Sequence, residues 1–324
     1  MKAMLEVRRL LKPWLEEVSA GDVLLVGCSG GADSLALAYA LFHEARNLAL
    51  SVIPIVIDHG LQENSDLVAQ TVRERLSKIG YPKVEVIRAT VDITDGLEAS
   101  ARRARFAIFA DALERHNAKL LFLGHTQDDQ AETVLLGLAR GSGTKSLAGM
   151  AQRNGQFIRP MLTVSRSQSV QACQEAELEV WDDPHNHDPS YLRVRARRHV
   201  LPILEAELGP GIAAALARSA KILREDSEAL DGWADMVFAE LSTSDSAILP
   251  IATVAALPAA VRARVLRLAI YHAGAPSGSI SADHLAPVEA MVTAWRGQGE
   301  SSLPGGVKVV RKSQKLVISK DAPS

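Results

Sequence analysis

The stretch that decides the fold is Val23-Leu24-Leu25-Val26-Gly27-Cys28-Ser29-Gly30-Gly31-Ala32-Asp33-Ser34. Its first six residues form a continuous apolar run, which predicts a strand buried on both faces of a parallel sheet. The glycines let backbone N–H groups approach an anion closely, and the helix predicted from Ser34 adds the partial positive charge of its N-terminus. The Walker lysine and the dinucleotide fingerprint are both missing. The stretch therefore predicts a phosphate site of another kind, formed by Ser29, Gly30, Gly31, Ala32, Asp33 and Ser34.

Strand and helix alternate from this point to about residue 140. Further strands are predicted at 51–57, 84–89 and 120–123. Helices are predicted at 5–18, 34–46, 67–79, 97–116 and 129–140. Such alternation predicts an α/β fold with a doubly wound parallel sheet, in which ligands bind beyond the carboxyl ends of the strands.

After about Gly209 the pattern changes. Helical stretches are predicted at 211–241, 257–273 and 281–296 without strands between them, followed by a terminal β-hairpin at 307–311 and 316–319. A chain of 324 residues is long for one core, so two domains are expected. We predict a catalytic domain at 1–210 and a smaller, mostly helical domain at 211–324.

The composition is that of an ordinary globular protein, with 47% apolar and 23% charged residues and a net charge of −2. The only cysteines, Cys28 and Cys173, are far apart, which excludes a disulfide scaffold and fits a reducing compartment. No stretch resembles a membrane span or a signal peptide. The composition therefore predicts a cytoplasmic protein with no membrane partner.

An acidic motif follows the strand at 120–123 and reads Gly124-His125-Thr126-Gln127-Asp128-Asp129-Gln130-Ala131-Glu132. Thr126 and Asp129 have the spacing of a capping box, which accounts for one carboxylate. Asp128 and Glu132 share a helix face, where like charges cost about 0.2–0.5 kcal/mol. The cluster predicts a cation, either Mg²⁺ or an incoming lysine ammonium. Asp33 beside a triphosphate would also require Mg²⁺.

Polar residues elsewhere carry weaker signals. Asp58-His59-Gly60-Leu61 follows the second predicted strand, where a nucleotide base would sit, although a histidine there is often structural. Arg102 and Arg105 suit phosphate contacts, although Glu98 and Arg102 could form a simple i,i+4 ion pair. Arg140-Gly141-Ser142-Gly143 can be explained by a glycine helix cap.

A basic segment lies near the end of the predicted first domain. Four arginines occur within six residues, Arg193, Arg195, Arg197 and Arg198, with Tyr191 and Trp181 nearby. A solvated helix face is the usual explanation for such a charge run. Phosphate contacts combined with aromatic stacking are also how single-stranded tRNA loops are held, so the segment is predicted to bind tRNA.

These motifs together resemble the tRNA(Ile)-lysidine synthetase family of the PP-loop ATP pyrophosphatases. The resemblance covers about residues 20–205, with a weaker match at 303–306. It rests on the Ser-Gly-Gly-x-Asp-Ser loop, Asp-His-Gly-Leu, the arginine helix at 98–106, the acidic motif, Arg140-Gly141-Ser142-Gly143 with its extension to Gly149-Met150, and the basic segment. His185 stands where the family has serine, Val194 where it has asparagine, and Thr126 where a second histidine is common, which affects fine substrate contacts more than the reaction class.

The resemblance implies a ligase that uses ATP to adenylate carbon 2 of the wobble cytidine in CAU-anticodon tRNA(Ile). The ε-amine of L-lysine then displaces AMP and forms lysidine. By this analogy, Ser29–Ser34, Asp58, His59, Gly124 and His125 bind ATP, and Asp33 and Asp129 hold Mg²⁺. Asp128 and Glu132 position lysine, Arg102 meets the adenylated base, and Arg105, Arg140 and the basic segment contact tRNA.

Longer family members carry further C-terminal domains, and this chain resembles a short form without them. The resemblance therefore assigns tRNA selection to residues 211–324 or to contacts within a homodimer.

Other functions remain open at this stage. A PP-loop tRNA thiolase usually carries a reactive cysteine pair or iron–sulfur ligands, which Cys28 and Cys173 do not supply. An amide-forming synthetase for a small metabolite would not need the arginines at 193–198. A non-catalytic nucleotide-binding regulator would not need Asp33, Asp128, Asp129 and Glu132 together.

Overall fold

The structure is a computed structural model that describes residues 2–60, 65–92, 96–141, 143–183, 188–241 and 247–320. The chain divides into two compact units, Met1–Arg224 and Glu225–Ser324. The division falls inside a long helix, α10 (Ile212–Leu241), whereas the boundary predicted from the sequence precedes this helix. The change from alternating strands to helices marks where this helix begins, and the packing of its two halves marks where the units divide.

The first unit is an alternation of strands and helices up to α10. Its elements in chain order are α1 (Lys2–Leu15), β1 (Val23–Gly27), α2 (Ala32–Asn47), β2 (Ser51–Asp58), α3 (Ser65–Ile79), β3 (Glu85–Arg88), α4 (Leu97–Arg115), β4 (Leu120–Leu123), α5 (Gln127–Ala139), α6 (Thr144–Leu147), β5 (Arg153–Asn154), β6 (Phe157–Ile158), α7 (Arg166–Glu175), α8 (Leu192–Arg195), a π-helical turn (Ala196–Val200) and α9 (Leu201–Leu208). The predicted strands and helices up to residue 140 are all present, with ends shifted by a few residues.

The sheet of this unit has six strands in the order β3-β2-β1-β4-β6-β5. All neighbours pair in parallel except the short edge strand β5, which is antiparallel to β6. The chain moves outward from β1 through β2 to β3 and then returns to place β4 on the other side of β1. The carboxyl ends of β1 and β4 therefore form the topological switch point, where a doubly wound sheet binds its ligand.

Both faces of the central strands are buried, as their continuous apolar sequence predicts. Leu24 and Val26 face a core shared with α1, α2, α3 and α7, whereas Leu25 faces a second core with α4. The alternation follows from the two-residue repeat of a strand. Because every residue of β1 after Val23 is buried, this strand places the loop that follows it at a fixed position.

The second unit combines helices with a small antiparallel sheet. After α10 it contains β7 (Ala247–Pro250), α11 (Ile251–Ala256), α12 (Ala259–His272), α13 (Ala282–Thr293), β8 (Ser301–Leu303), a 3-10 turn (Pro304–Gly306), β9 (Val307–Lys312) and β10 (Lys315–Lys320). The four strands have the order β7-β10-β9-β8, so the predicted terminal hairpin is present as β9 and β10.

The expectation that no strand separates the helical stretches is wrong, because β7 lies between α10 and α11. Ala247 and Leu249 are buried while Ile248 is exposed, which is the alternation of an edge strand. The strand pairs with β10, about seventy residues later in the chain. A strand of four residues whose partner is so distant is hard to recognise from the local sequence.

No single helix in the described ranges is long and apolar enough to cross a membrane. One consecutive pair, Leu192–Leu208 and Ile212–Leu241, has the length and composition together but is bent by 99°.

Gly124, directly after β4, packs closely against the first turn of α2, and a substitution at Gly124 tests this contact. A Cβ at Gly124 would lie 2.9 Å from the backbone carbonyl carbon and oxygen of Asp33, neither of which can rotate away. We expect Gly124→Ala to lower the free energy of unfolding by about 1–3 kcal/mol in urea titrations. The matched control is Gly232→Ala on the exposed face of α10, where nothing lies within 4 Å. It should raise stability by about 0.4–1 kcal/mol. Equal stabilities for the two variants would contradict the packing.

Candidate functional site at the ends of β1 and β4

The loop after β1 is held in a shape that exposes backbone N–H groups. Gly30 has a φ of +85°, and a Cβ there would lie 2.5 Å from Val72 Cγ2, so the position requires glycine. The Ser34 hydroxyl accepts from the Ser29 N–H at 3.2 Å and donates to the Gly31 carbonyl at 3.0 Å. The Ser34 side chain therefore braces the loop. The free N–H groups of the first turn of α2 remain for an anion.

Two helix N-termini meet at this point. Gly124 follows β4 and packs against the Asp33 backbone in the first turn of α2, while α5 begins at Gln127. The absence of a side chain at Gly124 lets the turns approach each other. As a result, Asp33 on α2 and Asp129 on α5 are close enough to share Arg166 as a neighbour.

The start of α5 is fixed by its own side chains. The Thr126 N–H and hydroxyl donate to Asp129 Oδ2 at 2.8 and 3.1 Å, which confirms the predicted capping box. Asp128 uses one carboxylate oxygen to accept the Arg166 backbone N–H at 2.8 Å, and this bond ties α5 to the start of α7. Asp128 and Asp129 are adjacent in the chain but accept hydrogen bonds from different partners.

Two arginines lie among the carboxylates. Arg166 Nη2 is 3.2 Å from Asp33 Oδ2 and 3.9 Å from Asp129 Oδ1. Arg197 donates through Nε to Glu132 Oε1 at 2.6 Å, and its Nη2 is 3.6 Å from Asp129 Oδ1. Glu132 is fully buried, and its second oxygen, Oε2, has no hydrogen-bond partner within the described residues. The site thus gathers negative charge and balances it with guanidinium groups.

The local environment shifts the pKa of several of these groups. Burial raises the pKa of Asp33 to about 6, with Arg166 acting in the opposite direction and Asp129 adding to the rise. Burial also raises the pKa of Glu132, although Arg197 opposes it. Burial and the neighbouring arginines lower the pKa of His125 to about 3, so its ring is neutral near pH 7. Burial disfavours the charge on Asp129, but His125, the Thr126 N–H, Arg166 and Arg197 act together against burial and lower its pKa.

Asp33 and Asp129 have the chemistry that a magnesium ion needs. Asp33 Oδ1 is buried and accepts no hydrogen bond from any described residue. Within the same part of the chain, no group of three or more His, Cys, Asp or Glu side chains is arranged to hold a metal. Mg²⁺ is commonly bound by one or two carboxylates together with substrate phosphates and water. A pair of carboxylates beside a phosphate loop therefore fits the ion, provided that Arg166 yields its place.

The residues predicted to lie on the adenine side are near the end of β2. Asp58 is buried and accepts from the Gly60 N–H at 2.9 Å and from the Arg88 guanidinium. Its carboxylate thus shapes the turn. The His59 ring is partly buried, and burial together with Arg105 lowers its pKa. Leu61, the last residue of the quoted motif, lies outside the described residues.

The arginine helix α4 carries cations that have few counter-charges. Arg102 and Arg105 stack on Phe106, with guanidinium carbons 5.1 and 5.8 Å from the ring centroid. Burial and the neighbouring Arg102 and Arg193 lower the pKa of Arg105 to about 10. Glu98 pairs with Arg193 at 3.2 Å instead of with Arg102. Guanidinium groups that repel one another in a half-buried position are suited to an anionic ligand.

The basic segment divides between the site and solvent. Arg193 pairs with the exposed Glu98, whereas Arg197 pairs with the buried Glu132 and so points into the acidic cluster. Arg195 is exposed and donates to the Pro189 and Ser190 carbonyls, and Arg198 is exposed in the π-helical turn. Arg140 is exposed at the end of α5. Ser142 and His185 lie outside the described residues.

Two residues of the site were not singled out from the sequence. Arg166 reaches Asp33 and Asp129 from the first turn of α7, and Arg159 is only 4% exposed with an unpartnered Nε. Arg166 directly follows Ser165, whose capping box with Gln168 marks a helix start. Recognising that helix would have placed Arg166 at a helix end near the acidic motif, whereas the sequence around Arg159 holds no comparable signal.

The Arg197–Glu132 pair provides a second test of stability. Removing a partner from a buried carboxylate leaves an uncompensated charge, so we expect Arg197→Ala to lower the free energy of unfolding by about 2–4 kcal/mol. Arg153→Ala breaks an exposed ion pair with Glu17 and should change it by about 1 kcal/mol or less. Adding Glu132→Gln to Arg197→Ala should recover part of the loss in urea titrations. Similar effects of Arg197→Ala and Arg153→Ala would argue against a buried ion pair.

Comparison with known proteins places this chain in a family. Residues 3–204 match a PP-loop domain, and residues 249–317 match a TilS substrate binding domain. The tRNA(Ile)-lysidine synthase of Thermobifida fusca is 45% identical over 97% of both chains. That of Streptomyces coelicolor is 49% identical over 91% of this chain and 85% of its own. The U34-tRNA thiolase NcsA from Methanococcus maripaludis has a similar fold, with a TM-score of 0.58 at 18% identity over 69% of this chain and 80% of its own. On the strength of the matching domains and relatives, the chain belongs to the tRNA(Ile)-lysidine synthase family.

Proposed function

We propose that this chain ligates L-lysine to carbon 2 of the wobble cytidine in CAU-anticodon tRNA(Ile), consuming ATP and releasing AMP and pyrophosphate. The observation that carries the proposal is the meeting of the phosphate loop with the acidic start of α5, in a chain of this family. This arrangement places an anion site and paired carboxylates at one sheet edge, which a ligase acting through an adenylated intermediate requires.

The reaction is a pair of substitutions. The cytidine O2 attacks the α-phosphorus of ATP, and the bond to pyrophosphate breaks. The lysine ε-amine then adds to carbon 2, AMP departs with the former O2, and the amine loses a proton. Oxygen is a poor leaving group until it carries phosphate, so adenylation makes the second step feasible. Positioning and electrostatic stabilisation supply most of the acceleration in such reactions.

The phosphates would be held by the loop Ser29–Ser34, mainly through the free backbone N–H groups at the start of α2. Asp33 and Asp129 would hold Mg²⁺, which would neutralise charge on the phosphates. Asp58 and His59 would border the adenine, with Gly124 and His125 beside the phosphates. The neutral His125 ring leaves the positive charge in this region to the arginines.

The substrates' remaining groups would meet the side chains around this core. Glu132 has a free buried acceptor for the lysine ammonium, and Asp128 lies one turn earlier on α5. Arg102 would meet the adenylated base, while Arg105, Arg140 and the basic segment would contact tRNA. The second unit would contribute to tRNA selection, in line with its match to a substrate binding domain. A cytoplasmic location belongs to the same proposal, and contacts within a homodimer are the alternative source of tRNA selection.

The thiolase alternative has less support. Cys28 and Cys173 are free and buried, and burial raises the pKa of both thiols, that of Cys173 to about 12. A thiol of high pKa is a poor nucleophile and metal ligand near neutral pH.

The direct test of this function is lysine incorporation. Purified protein would receive ATP, Mg²⁺, labelled L-lysine and an isoleucine tRNA transcript with a CAU anticodon. We expect label in this tRNA together with AMP and pyrophosphate. A methionine tRNA with the same anticodon is the control and should stay unlabelled. Pyrophosphate release with another substrate and no labelled tRNA would overturn the assignment.

Separate measurements of adenylation and lysine transfer would distinguish the roles of the carboxylates. We expect Asp129→Asn to slow pyrophosphate release by about 100-fold, because a charged group beside the phosphates is lost. Glu132→Gln should keep adenylation but raise the KM for lysine about 10-fold or more, because a charge-assisted hydrogen bond is lost. Asp111→Asn, on the surface of α4, should change neither step. Equal losses in both steps for Glu132→Gln would contradict a lysine role.

The exposed arginines of the basic segment can be tested by tRNA binding. We expect Arg195→Ala and Arg198→Ala each to weaken binding and to reduce the slope of log K against log salt by about 1. Arg9→Ala, on the exposed side of α1, is the control and should leave the slope unchanged. Unchanged slopes for both test variants would place the tRNA phosphates elsewhere.

A further inference from the structure

The Glu132 carboxylate is a buried binding site for a cation, and the Arg197 guanidinium occupies it. It lies in the middle of α5, is fully buried, and binds the Arg197 Nε at 2.6 Å through Oε1. Its Oε2 has no hydrogen-bond partner among the described residues, and Asp129 lies on the far side of the same guanidinium at 3.6 Å. The pocket thus offers more acceptors than Arg197 uses, which is the chemistry of a site for an ammonium group with several donors.

Arg197 is also connected to the exposed arginines of the basic segment, because they are its close neighbours in the chain. It lies in the π-helical turn Ala196–Val200, between Arg195 and Arg198, which are both exposed. A π-helical turn is rare and occurs frequently at functional sites, because it is less favourable than the α-helix on either side. Phosphates bound by Arg195 and Arg198 would therefore act on the backbone segment that carries Arg197.

On the basis of the proposed function, we propose that Arg197 occupies the lysine subsite until tRNA binds. In the free protein its guanidinium competes with the lysine ε-ammonium for Glu132. Binding of tRNA phosphates to Arg195 and Arg198 withdraws Arg197 and opens the subsite. Arg197 is therefore a specificity-determining residue that makes lysine entry depend on the RNA substrate.

The competition is strong because Arg197 is tethered. A group held on a short segment acts at an effective concentration of about a millimolar or more, so free lysine must displace it.

The coupling also has a chemical consequence. A lysine amine beside ATP without cytidine in place could attack the α-phosphorus itself, and an occupied subsite keeps the amine away until O2 is there.

Coupling of this kind is reciprocal, so it can be measured without turnover. The probes are L-lysine and the CAU isoleucine tRNA transcript, titrated calorimetrically in the absence of ATP. We expect tRNA to tighten lysine binding at least about tenfold, and lysine to tighten tRNA binding by the same factor. A coupling factor of one in the wild-type protein would overturn the proposal, whatever the variants do.

Substitution assigns the coupling to Arg197. Arg197→Ala should bind lysine at least about tenfold more tightly than the wild-type protein without tRNA, and tRNA should no longer change that affinity. Arg198→Ala is the matched control, because it weakens tRNA binding but leaves the guanidinium on Glu132. It should keep the wild-type lysine affinity without tRNA. Circular dichroism would verify folding, and Arg197→Gln, which keeps a hydrogen-bond donor without the charge, would serve if the alanine variant does not fold. Lysine affinity no higher in the folded variant than in the wild-type protein would overturn the proposal.

The outcome is separable from that of the proposed function. Coupled binding without lysidine formation would remove the ligase assignment and leave the subsite. Lysidine formation without coupling would keep the ligase and remove the role of Arg197.

Discussion

The close approach of Gly124 to the backbone of Asp33 is the constraint on which the site depends. With no side chain at Gly124, the first turns of α2 and α5 can touch at the switch point of the sheet. That contact brings the phosphate loop and the acidic motif to one place, although about ninety residues separate them in the chain. The strands β1 and β4 are buried on both faces and hold the two turns rigidly, so the geometry is set by the core rather than by the loops.

Charge balance is the second organising feature. The carboxylates of Asp33, Asp129 and Glu132 gather in a partly or fully buried region, where unpaired charge is expensive. Arg166 and Arg197 supply the compensation. The proposed ligands, Mg²⁺ and the lysine ammonium, are also cations. Under the proposed function, these cations would replace the arginines as partners of the carboxylates.

The likeness to a thiolase structure at 18% identity shows a shared fold and no more, and the PP-loop domain itself is identified by the match over residues 3–204. Family membership rests on relatives above 40% identity over nearly the whole chain, together with the match of the second unit. The structure adds contacts that the sequence did not indicate. Asp128 binds a backbone N–H, Asp58 braces a turn with Arg88, and Arg197 faces the carboxylates.

The sequence by itself determined the parallel sheet, the phosphate loop and the family, because each leaves a local pattern. Continuous apolar runs specify buried strands, and a glycine-rich turn before a helix specifies an anion site. Tertiary structure alone decided which charges pair. Arg197 and Glu132 are 65 residues apart, and Asp128 and Arg166 are 38 apart, so no local spacing reveals either contact. The same holds for β7, whose partner strand comes at the end of the chain. Ion pairs and edge strands are long-range contacts, and their partners become defined only when the core has brought distant segments together.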